Sequence, residues 1–392
     1  MNDISLDIIL VTSNYPYEGH PNVGTFVAAL AEAWARQGDA VRVIAPLPIY
    51  TARTGEFVWR HPSSHGPLEP TVVHPGFMSY SNRQLGPIST TAWTARSFCK
   101  AILKAGTRQQ RRPDVVYSHF LSPAGVAGAE LASRLERPSI VALGESGWDL
   151  AEEALTPVQF GEAVRSFDGI LSVSESNART MIERYGADES RITVVPNAAD
   201  TERFQPHDQL EARRHLGLPE DATILSFTGY FIDRKGPLRV VEAMERVPNL
   251  YGVFLGDGPD RPTGERVLHA GRVRHDEVAL WLSASDFFVL PTLAEGSPNA
   301  VIEAMACGLP IVSSDLPSLR ETVDRESALL VDPMDISALA DALAEISTNS
   351  TKRYAMGVAA IERGRRTNLD ARASRIREWI RDVVQRFERE NG

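Results

Sequence analysis

Two carboxylates that could do chemistry, Glu295 and Glu303, lie on either side of a predicted helix start. Ser297 is predicted to be the N-cap of that helix, and Pro298 suits its first helical position. The apolar run at 287–290, which comes just before, predicts a buried parallel strand. The order of strand, short loop and helix therefore predicts that both carboxylates lie near a cleft above the sheet.

The start of this helix could also bind a phosphate. The amides of Asn299 and Ala300 would have no partner inside the helix, and the helix dipole adds positive potential at this end. Helical side chains tilt toward the N-terminus, so the carboxylate of Glu303 could reach back and accept two hydroxyls of a ribose. Glu295, on the loop, could face a sugar. An amphipathic helix with one exposed glutamate would explain the same residues, and the residues alone give the two interpretations equal weight.

A turn with two adjacent cations, Arg234 and Lys235, precedes a helix that is predicted to begin at Pro237. Lys235 could neutralise a diphosphate, and Arg234 could add a fork of hydrogen-bond donors. A basic turn exposed to solvent is the alternative interpretation.

Composition and length limit the class of protein. At 392 residues the chain is long enough that two domains are expected. Its hydrophobic content of 43% and charged content of 23% are those of soluble globular proteins, and its net charge of −10 argues against nucleic acid as the main partner. Cys99 and Cys307 lie far apart and predict no disulfide framework. The sequence has no apolar run of about eighteen residues and no cleavable signal pattern, so we expect a cytoplasmic protein.

A run of cations is the local exception to the acidic balance. It lies toward the end of a helix predicted to begin near Thr91, and its spacing would place several members on one helical face. This face could contact an anionic membrane surface, but a solvated helix whose last cations complement the dipole is the favoured interpretation. The cations are Lys100, Lys104, Arg108, Arg111 and Arg112.

Both halves of the chain alternate predicted strands with predicted helices. The first half opens with a strand at 7–12, Gly24 at the turn into a helix at 25–37, and a strand at 41–44. This is a βαβ unit with a glycine where ligand phosphates commonly bind. The alternation predicts an α/β protein with two doubly wound, Rossmann-like domains. Further strands are predicted at 114–117, 139–143, 169–173, 192–195, 223–227, 251–255, 269–271, 286–291, 311–313 and 328–331.

The domain boundary is predicted near Pro196. Residues 1–196 would form the first domain and residues 197–366 the second, and residues 367–392 would form a charged amphipathic helix. Residues 51–90 are dense in proline, glycine, serine and histidine, and we expect irregular connections around one or two strands there.

The sequence from Glu295 to Pro310 closely resembles the paired-glutamate E-x7-E region of glycosyltransferase family 4, whose members are retaining sugar-nucleotide transferases. The resemblance implies the GT-B fold, in which two Rossmann-like domains face a central cleft and the last helix packs back on the first domain. It further implies that Glu303 holds the nucleotide ribose and that Glu295 lies near the donor sugar. Ser297, Pro298 and the amides that follow would line the donor site.

A second match lies in the basic turn. Gly229, Lys235 and Gly236 match the family pattern G-R-x4-K-G, but Tyr230 stands where an arginine is usual, and Arg234 is the candidate substitute. In the segment that resembles the family's base-binding backbone, Arg272 and Val273 follow a short strand. Pro196 and Asn197 also resemble the family's inter-domain P-N-G-x-D, with Ala198 in place of the glycine.

The first half matches less well. His119 ends a segment similar to the family's D-V-V-H-x-H, with Tyr117 replacing the first histidine; it could orient substrate or be a satisfied strand-end histidine. Gly144 and Glu145 occupy the place of a histidine that family members carry near the reacting sugar. Glu145 could hydrogen-bond a sugar hydroxyl and stabilise oxocarbenium character, or it could cap the next helix.

The resemblance implies a retaining glycosyltransferase that uses a nucleoside diphosphate sugar. The first domain would hold a saccharide, lipid-linked or small-molecule acceptor, and the diphosphate would depart toward Lys235, the Asn299 amides and the Gly24 loop. No D-x-D triplet occurs, so no metal is expected. A catalytically silent nucleotide-sugar-binding relative is the alternative, because of the missing histidine and of Tyr230. A nicotinamide-dependent dehydrogenase is disfavoured, because no G-x-G-x-x-G opens either half.

Overall fold

The structure is a computed structural model that describes residues 5–21, 23–51, 56–57, 68–80, 84–85, 88–108, 111–144, 157–366 and 368–392. The chain divides into two compact units, one formed by residues 1–195 with 373–392 and the other by residues 196–372. Both units are α/β, and every strand predicted from the sequence is present with ends within two residues of the predicted bounds. No helix in the described part of the chain is long and apolar enough to cross a bilayer.

The first unit is built on a parallel sheet, seven-stranded in its described part, with strand order β13-β12-β11-β10-β1-β2-β6. Its strands are β1 (Asp7–Thr12), β2 (Ala40–Ile44), β3 (Leu47–Pro48), β4 (Tyr50–Thr51), β5 (Glu56–Phe57), β6 (Thr71–Val73), β7 (Gly76–Phe77), β8 (Gln84–Leu85), β9 (Ile88–Ser89), β10 (Val115–His119), β11 (Ser139–Leu143), β12 (Gly169–Ser172) and β13 (Ile192–Val194). Its helices are α1 (Thr25–Arg36), α2 (Thr91–Gly106), α3 (Val126–Leu135), α4 (Pro157–Arg165) and α5 (Glu175–Tyr185).

The centre of the first sheet is apolar because its strands are covered on both faces. Every residue of β1 is buried, as a parallel strand between two helical layers requires. Helix α1 buries Val27, Leu30 and Trp34 on one side, and the Trp34 ring packs edge-on against Tyr117 of β10 at 5.0 Å between centroids.

The second unit is built on a parallel sheet of six described strands in the order β16-β15-β14-β17-β18-β19. Its strands are β14 (Thr223–Thr228), β15 (Leu250–Leu255), β16 (Val267–Gly271), β17 (Phe287–Leu290), β18 (Ile311–Ser314) and β19 (Ala328–Val331). Its helices are α6 (Gln209–Leu216), α7 (Pro237–Glu245), α8 (Val278–Ser283), α9 (Asn299–Ala306), α10 (Pro317–Thr322), α11 (Ile336–Thr348) and α12 (Ser350–Arg366).

The last helix, α13 (Leu369–Asn391), belongs to the first unit from Ala373 onward. Trp34 donates its indole N–H to the Ala373 carbonyl at 3.1 Å, and Arg377 forms a buried ion pair with Asp39 at 2.9 Å. Arg386 donates to the Asp168 carbonyl near the other end. The expectation that the C-terminal helix packs back on the first domain is therefore confirmed.

The predicted stack of cations on α2 is wrong in its second half. Helix α2 ends at Gly106, so Arg108, Arg111 and Arg112 lie beyond it. Arg112 donates to the Leu135 carbonyl and pairs with Glu136 at 3.0 Å, and Arg111 lies near Asp7. Only Lys100 and Lys104 remain as exposed helical cations of the predicted run.

Residues 51–90 contain more strands than the one or two predicted. The described part of the segment holds β4 to β9, each two or three residues long. Of these, only β6 joins the large sheet, where it pairs with β2.

Candidate functional site

The connectivity of each sheet marks one place where a ligand is expected. In the second unit the chain runs outward from β14 to β16 on one side and from β17 to β19 on the other, so the order switches between β14 and β17. Ligands of doubly wound proteins bind at the carboxyl ends of the strands at such a switch point. The two loops that leave β14 and β17 there carry Gly229, Arg234 and Lys235 on one side, and Glu295 and Ser297 on the other.

An ion pair joins these two loops across the switch point. The Lys235 ammonium donates a hydrogen bond to the Glu295 carboxylate, with 18% of the lysine side chain and 5% of the glutamate side chain exposed. The buried Thr292 hydroxyl donates to the same carboxylate oxygen at 3.0 Å. The predicted diphosphate cation and the predicted sugar-facing carboxylate are thus in direct contact, and a bound diphosphate would compete with Glu295 for Lys235.

Further hydrogen bonds fix the two loops to each other. The Leu293 amide donates to the Arg234 carbonyl at 2.8 Å, and the Arg234 guanidinium donates to the Ala294 carbonyl at 2.8 Å. Arg234, predicted as a substitute phosphate ligand, is therefore already engaged in holding the Glu295 loop.

Arg239 is a residue that sequence reasoning missed. Its guanidinium is mostly buried and donates to the Asp233 carboxylate and to the Pro291 carbonyl, the latter at 3.1 Å. It ties the end of β17 to the start of α7. No local signal in the sequence indicates a contact between partners 52 residues apart.

The residues just after β14 differ sharply in exposure. Tyr230, which stands where the family has an arginine, keeps 52% of its surface exposed, whereas the next residue, Phe231, is buried in the core. The Gly229 amide donates to the Leu255 carbonyl at 3.0 Å and so extends the β14–β15 pairing. The Thr228 hydroxyl, one residue before, is buried and has no hydrogen-bond partner within the described residues.

The predicted cap of α9 is wrong. The helix begins at Asn299, its N-cap is Pro298 with an extended backbone, and no side chain caps it. The Ser297 hydroxyl instead accepts a hydrogen bond from the Asn197 amide at 3.1 Å, and the Ser297 carbonyl accepts one from the Asn197 side chain at 2.8 Å. Because the helix begins one residue later than predicted, Asn299 and Ala300 are its first two residues, and their amides have no partner within the helix.

Glu303 is a desolvated carboxyl one turn into α9. Surrounding protein raises its pKa to about 8, although the positive charge of Arg203 acts in the opposite direction. It has no hydrogen-bond or ion-pair partner among the described residues. Burial and the nearby Glu303 raise the pKa of the Cys307 thiol, one turn further on. Glu303 keeps part of its surface exposed, and a carboxyl that lacks a partner is able to receive ligand hydroxyls without first breaking an internal bond.

The predicted base-binding residues lie at the edge of the same sheet. Arg272 and Val273 follow β16, which β15 separates from β14. The exposed Arg272 pairs with Asp257, at the carboxyl end of β15, over 2.9 Å. Val273 is partly buried against the core. The structure therefore places these two residues at the same sheet edge as Lys235, but not in contact with it.

In the first unit the strand order switches between β10 and β1. Gly24, which caps α1, has φ +66°, and a Cβ there would collide with the Asn14 carbonyl, so the turn requires glycine. His119 ends β10, is 3% exposed, and packs against Phe26 and Phe120 at 5.3 and 4.8 Å between centroids. The structure thus brings Gly24 and His119 to one switch point, whereas Glu145 lies outside the described residues.

Glycosyltransferase family models match both units. A family model described as Glycosyltransferase Family 4 matches residues 23–203, and one described as Glycosyl transferases group 1 matches residues 222–349. TuaC from Bacillus subtilis (strain 168), assigned as a teichuronic acid biosynthesis glycosyltransferase, is 28% identical over 86% of this chain and 88% of its own. A D-inositol 3-phosphate glycosyltransferase from Nocardioides sp. is also 28% identical, over 96% of this chain and 91% of its own.

Solved structures agree in fold. Sucrose-phosphate synthase from Thermosynechococcus elongatus superposes with a TM-score of 0.78 at 21% identity, over 96% of this chain and 99% of its own. WaaG, a glycosyltransferase involved in lipopolysaccharide biosynthesis, superposes with a TM-score of 0.71 at 14% identity, over 95% of this chain and 99% of its own. With two Rossmann-like parallel sheets, the paired glutamates and both family models in agreement, the chain is a glycosyltransferase of family 4 with the GT-B fold.

Proposed function

We propose that this glycosyltransferase moves a sugar from a nucleoside diphosphate sugar to a hydroxyl of a saccharide, lipid-linked or small-molecule acceptor, with retention of the anomeric configuration. The observation that carries the proposal is the Lys235–Glu295 pair across the switch point of the second sheet. Such a pair supports the proposal because it would offer a cation to the diphosphate beside a carboxylate for the sugar.

The donor would lie along the carboxyl edge of the second sheet. Its diphosphate would take Lys235 from Glu295 and accept hydrogen bonds from the amides of Asn299 and Ala300, since a helix N-terminus favours anions. Glu303 would accept both ribose hydroxyls, and the backbone at Arg272 would meet the base. HepE from Anabaena, a structural neighbour with a TM-score of 0.70, was solved with UDP-glucose, which makes uridine donors the first to try.

The chemical step would be a substitution at the anomeric carbon. The bond from this carbon to the diphosphate oxygen breaks, the acceptor hydroxyl bonds to the carbon on the same face, and its proton passes to the departing diphosphate. Lys235 and the helix amides would stabilise the charge that develops on the leaving group. No metal would be required, and transfer in the presence of a chelator tests this part of the proposal.

The first unit would hold the acceptor near its own switch point, where His119 and Gly24 lie. A lipid-linked acceptor would bring the enzyme to a membrane surface. The exposed side of α2, with Lys100 and Lys104, is where that contact would be made.

The decisive experiment measures transfer and stereochemistry together. UDP-, GDP-, ADP- and dTDP-glucose are incubated with a panel of saccharide and polyol acceptors, and proton NMR reads the anomeric configuration of the product. We expect one base to support transfer with retention. Lys235→Met should abolish transfer, whereas Lys352→Met, which removes an ion-paired lysine of the same unit on α12, should not. An inverted product would overturn the proposed stereochemistry.

A thermal-shift screen separates this proposal from its alternatives. A ligand at about 100 times its dissociation constant adds about 2.7 kcal/mol to the stability of the protein. A shift with a nucleoside diphosphate but no transfer to any acceptor would indicate a silent binding relative. A shift with NAD and with no diphosphate would indicate a dehydrogenase instead.

A further inference from the structure

Phe120, directly after β10, has a backbone conformation that side chains rarely adopt. Its φ of 71° and ψ of 148° fall in a region open almost only to glycine. Two hydrogen bonds hold it there, because its amide donates to the Ala142 carbonyl and its carbonyl accepts from the Gly125 amide, both at 2.9 Å. The surrounding structure thus imposes a conformation for which glycine would be the least costly residue.

The side chain of Phe120 must therefore contribute something that glycine would not. Its ring packs edge-on against His119 at 4.8 Å and against Phe26 at 6.1 Å between centroids. Phe26 and Phe120 nevertheless keep part of their surface exposed. A ring that served only the core would be covered, as that of Phe167 in the same unit is.

Gly144 lies directly beside this cluster. A Cβ at Gly144 would be in van der Waals contact with the Phe120 ring, at 3.4 Å, and with Nε2 of His119, at 3.7 Å. Gly144 directly follows β11, and β11 neighbours β10, so the cluster lies at the carboxyl edge of the sheet beside the switch point. Ligands of doubly wound sheets bind at this position.

The chemistry of the cluster selects a class of ligand. An aromatic ring has a negative face, and one face of a pyranose presents polarised C–H groups with little polar surface. An imidazole beside these rings can hydrogen-bond a hydroxyl. A charged ligand would find no cation among Phe26, His119, Phe120 and Gly144 unless the histidine were protonated.

We propose that Phe26, His119 and Phe120 form a subsite for a pyranose ring of the acceptor, with Phe120 as the stacking face. The inference rests on the proposed function and names its acceptor as a saccharide, whether free or linked to a lipid. The strained backbone of Phe120 is retained because it presents the ring to the sugar.

Saturation-transfer NMR with selective irradiation of protein aromatic protons tests the proposal without needing the natural acceptor. The probes are methyl glucopyranoside, methyl galactopyranoside and methyl N-acetylglucosaminide. We expect transfer to the C–H protons of one pyranose face for at least one probe. Phe120→Tyr should preserve it, and Phe120→Leu should weaken binding about tenfold, because the side chain stays apolar but loses the aromatic face.

The control removes an aromatic ring elsewhere in the same unit. Trp93 on α2 is 44% exposed and lies outside the switch point, so Trp93→Leu should leave the signal unchanged. Phe26→Leu provides a second reading if Phe120→Leu lowers the melting temperature too far for NMR. The proposal is overturned if none of the probes receives saturation, if the Leu variants of both Phe120 and Phe26 bind like the wild type, or if Trp93→Leu abolishes the signal.

Failure of this inference is distinguishable from failure of the proposed function. If UDP or another diphosphate binds and sugar transfer occurs, but no probe contacts the aromatic protons, the saccharide subsite is wrong and the transferase proposal stands. If a probe contacts Phe120 but no nucleotide binds, the transferase proposal fails and the saccharide site stands.

Discussion

The two switch points share a scaffold but differ in chemistry. In the second unit the loops meet through an ion pair, Lys235 with Glu295, backed by hydrogen bonds from Thr292 and Arg234. In the first unit, rings dominate the described residues at the corresponding place. A fixed arrangement of charges suits a ligand whose charge is always the same, such as a diphosphate. An apolar, ring-lined surface suits a sugar face, so the difference supports a donor side and an acceptor side.

The common scaffold is visible in a pair of glycines. Gly24 follows β1 and caps α1 with φ +66°, and Gly236 follows β14 and caps α7 with φ +76°. Each opens the first helix after the first strand of its sheet, and neither has room for a Cβ. The two sheets thus turn into their helices in the same way, and the chemistry differs because of the loop residues around each glycine.

Removal of the cation should produce the largest effect. Lys235→Met should lower kcat/KM for the donor by about a hundred- to a thousandfold, because a preorganised group opposite the leaving diphosphate is lost. Steady-state kinetics with varied donor and fixed acceptor measures it. A loss of less than about tenfold would remove the basis for assigning the donor to the second unit.

The glycine pair allows the two switch points to be compared by one substitution. Gly24→Ala and Gly236→Ala should each cost about 1–3 kcal/mol of stability from the positive φ, with a further cost from collision with backbone. The Cβ at Gly236 would lie 2.6 Å from the Pro291 carbonyl. Urea denaturation measures the stability, and nucleotide affinity should fall more for Gly236→Ala than for Gly24→Ala.

Matched controls separate strain from collision. Gly38 and Gly217 have φ of +92° and +67° with nothing within 4 Å of a Cβ, so alanine there adds strain alone. The comparison fails if Gly24→Ala and Gly38→Ala cost the same, or if Gly24→Ala weakens nucleotide binding as much as Gly236→Ala does.

Ionisation of Glu303 should make donor binding depend on pH. Burial raises the pKa of this carboxyl to about 8, so at neutral pH the unbound protein holds it mainly protonated. Two ribose hydroxyls donate best to the carboxylate, so affinity for a nucleoside diphosphate should rise between about pH 6 and pH 8, with release of a proton. Glu303→Gln should bind about ten- to a hundredfold more weakly at pH 9 because a charged acceptor is lost. Calorimetry in buffers of different ionisation enthalpy measures both quantities.

The same carboxyl has an effect on stability with a definite sign. The folded protein keeps the proton to a higher pH than the unfolded chain, whose carboxyl has the usual pKa of 4.5. The contribution of Glu303 to stability therefore falls as the pH rises from about 4.5 to about 8. Glu303→Gln should remove this fall and be the more stable protein at pH 9. If the urea midpoints of Glu303→Gln and the wild type change with pH in the same way across this range, Glu303 is not held protonated by the folded protein.

The sequence was sufficient to predict the strands, because parallel strands covered on both faces are short continuous apolar runs, as β1 and β17 are. It also predicts a donor side, through a motif that is contiguous in the chain, and the roles of those residues stay predictions. It could not predict the contact between Lys235 and Glu295, which lie 60 residues apart and meet only because β14 and β17 are neighbours.

Other features depend on tertiary context in the same way. The local sequence predicts Ser297 as a helix cap, but the amide of Asn197, 100 residues earlier in the chain, donates to its hydroxyl instead. The positive φ of Phe120 has no signal in the sequence, because phenylalanine normally indicates extended or helical backbone. The pKa of Glu303 likewise depends on burial by the surrounding protein rather than on neighbours in the chain.

The smallest expected effect concerns Ser297, which links the donor loop to the first residues of the second unit. Ser297→Ala should cost about 1 kcal/mol, because the Asn197 amide loses its acceptor. A helix cap would cost about the same, so stability alone does not separate the two roles. Hydrogen exchange of the individual backbone amides separates them. Because the Ser297 hydroxyl accepts from the backbone amide of Asn197, that amide should exchange faster in Ser297→Ala, whereas a serine that capped its own helix would protect the amides of the first turn of α9 instead. NMR-detected exchange of wild type and variant measures both sets of amides, and an unchanged rate at Asn197 with faster exchange in the first turn of α9 would restore the capping role and remove the tie between the donor loop and Asn197.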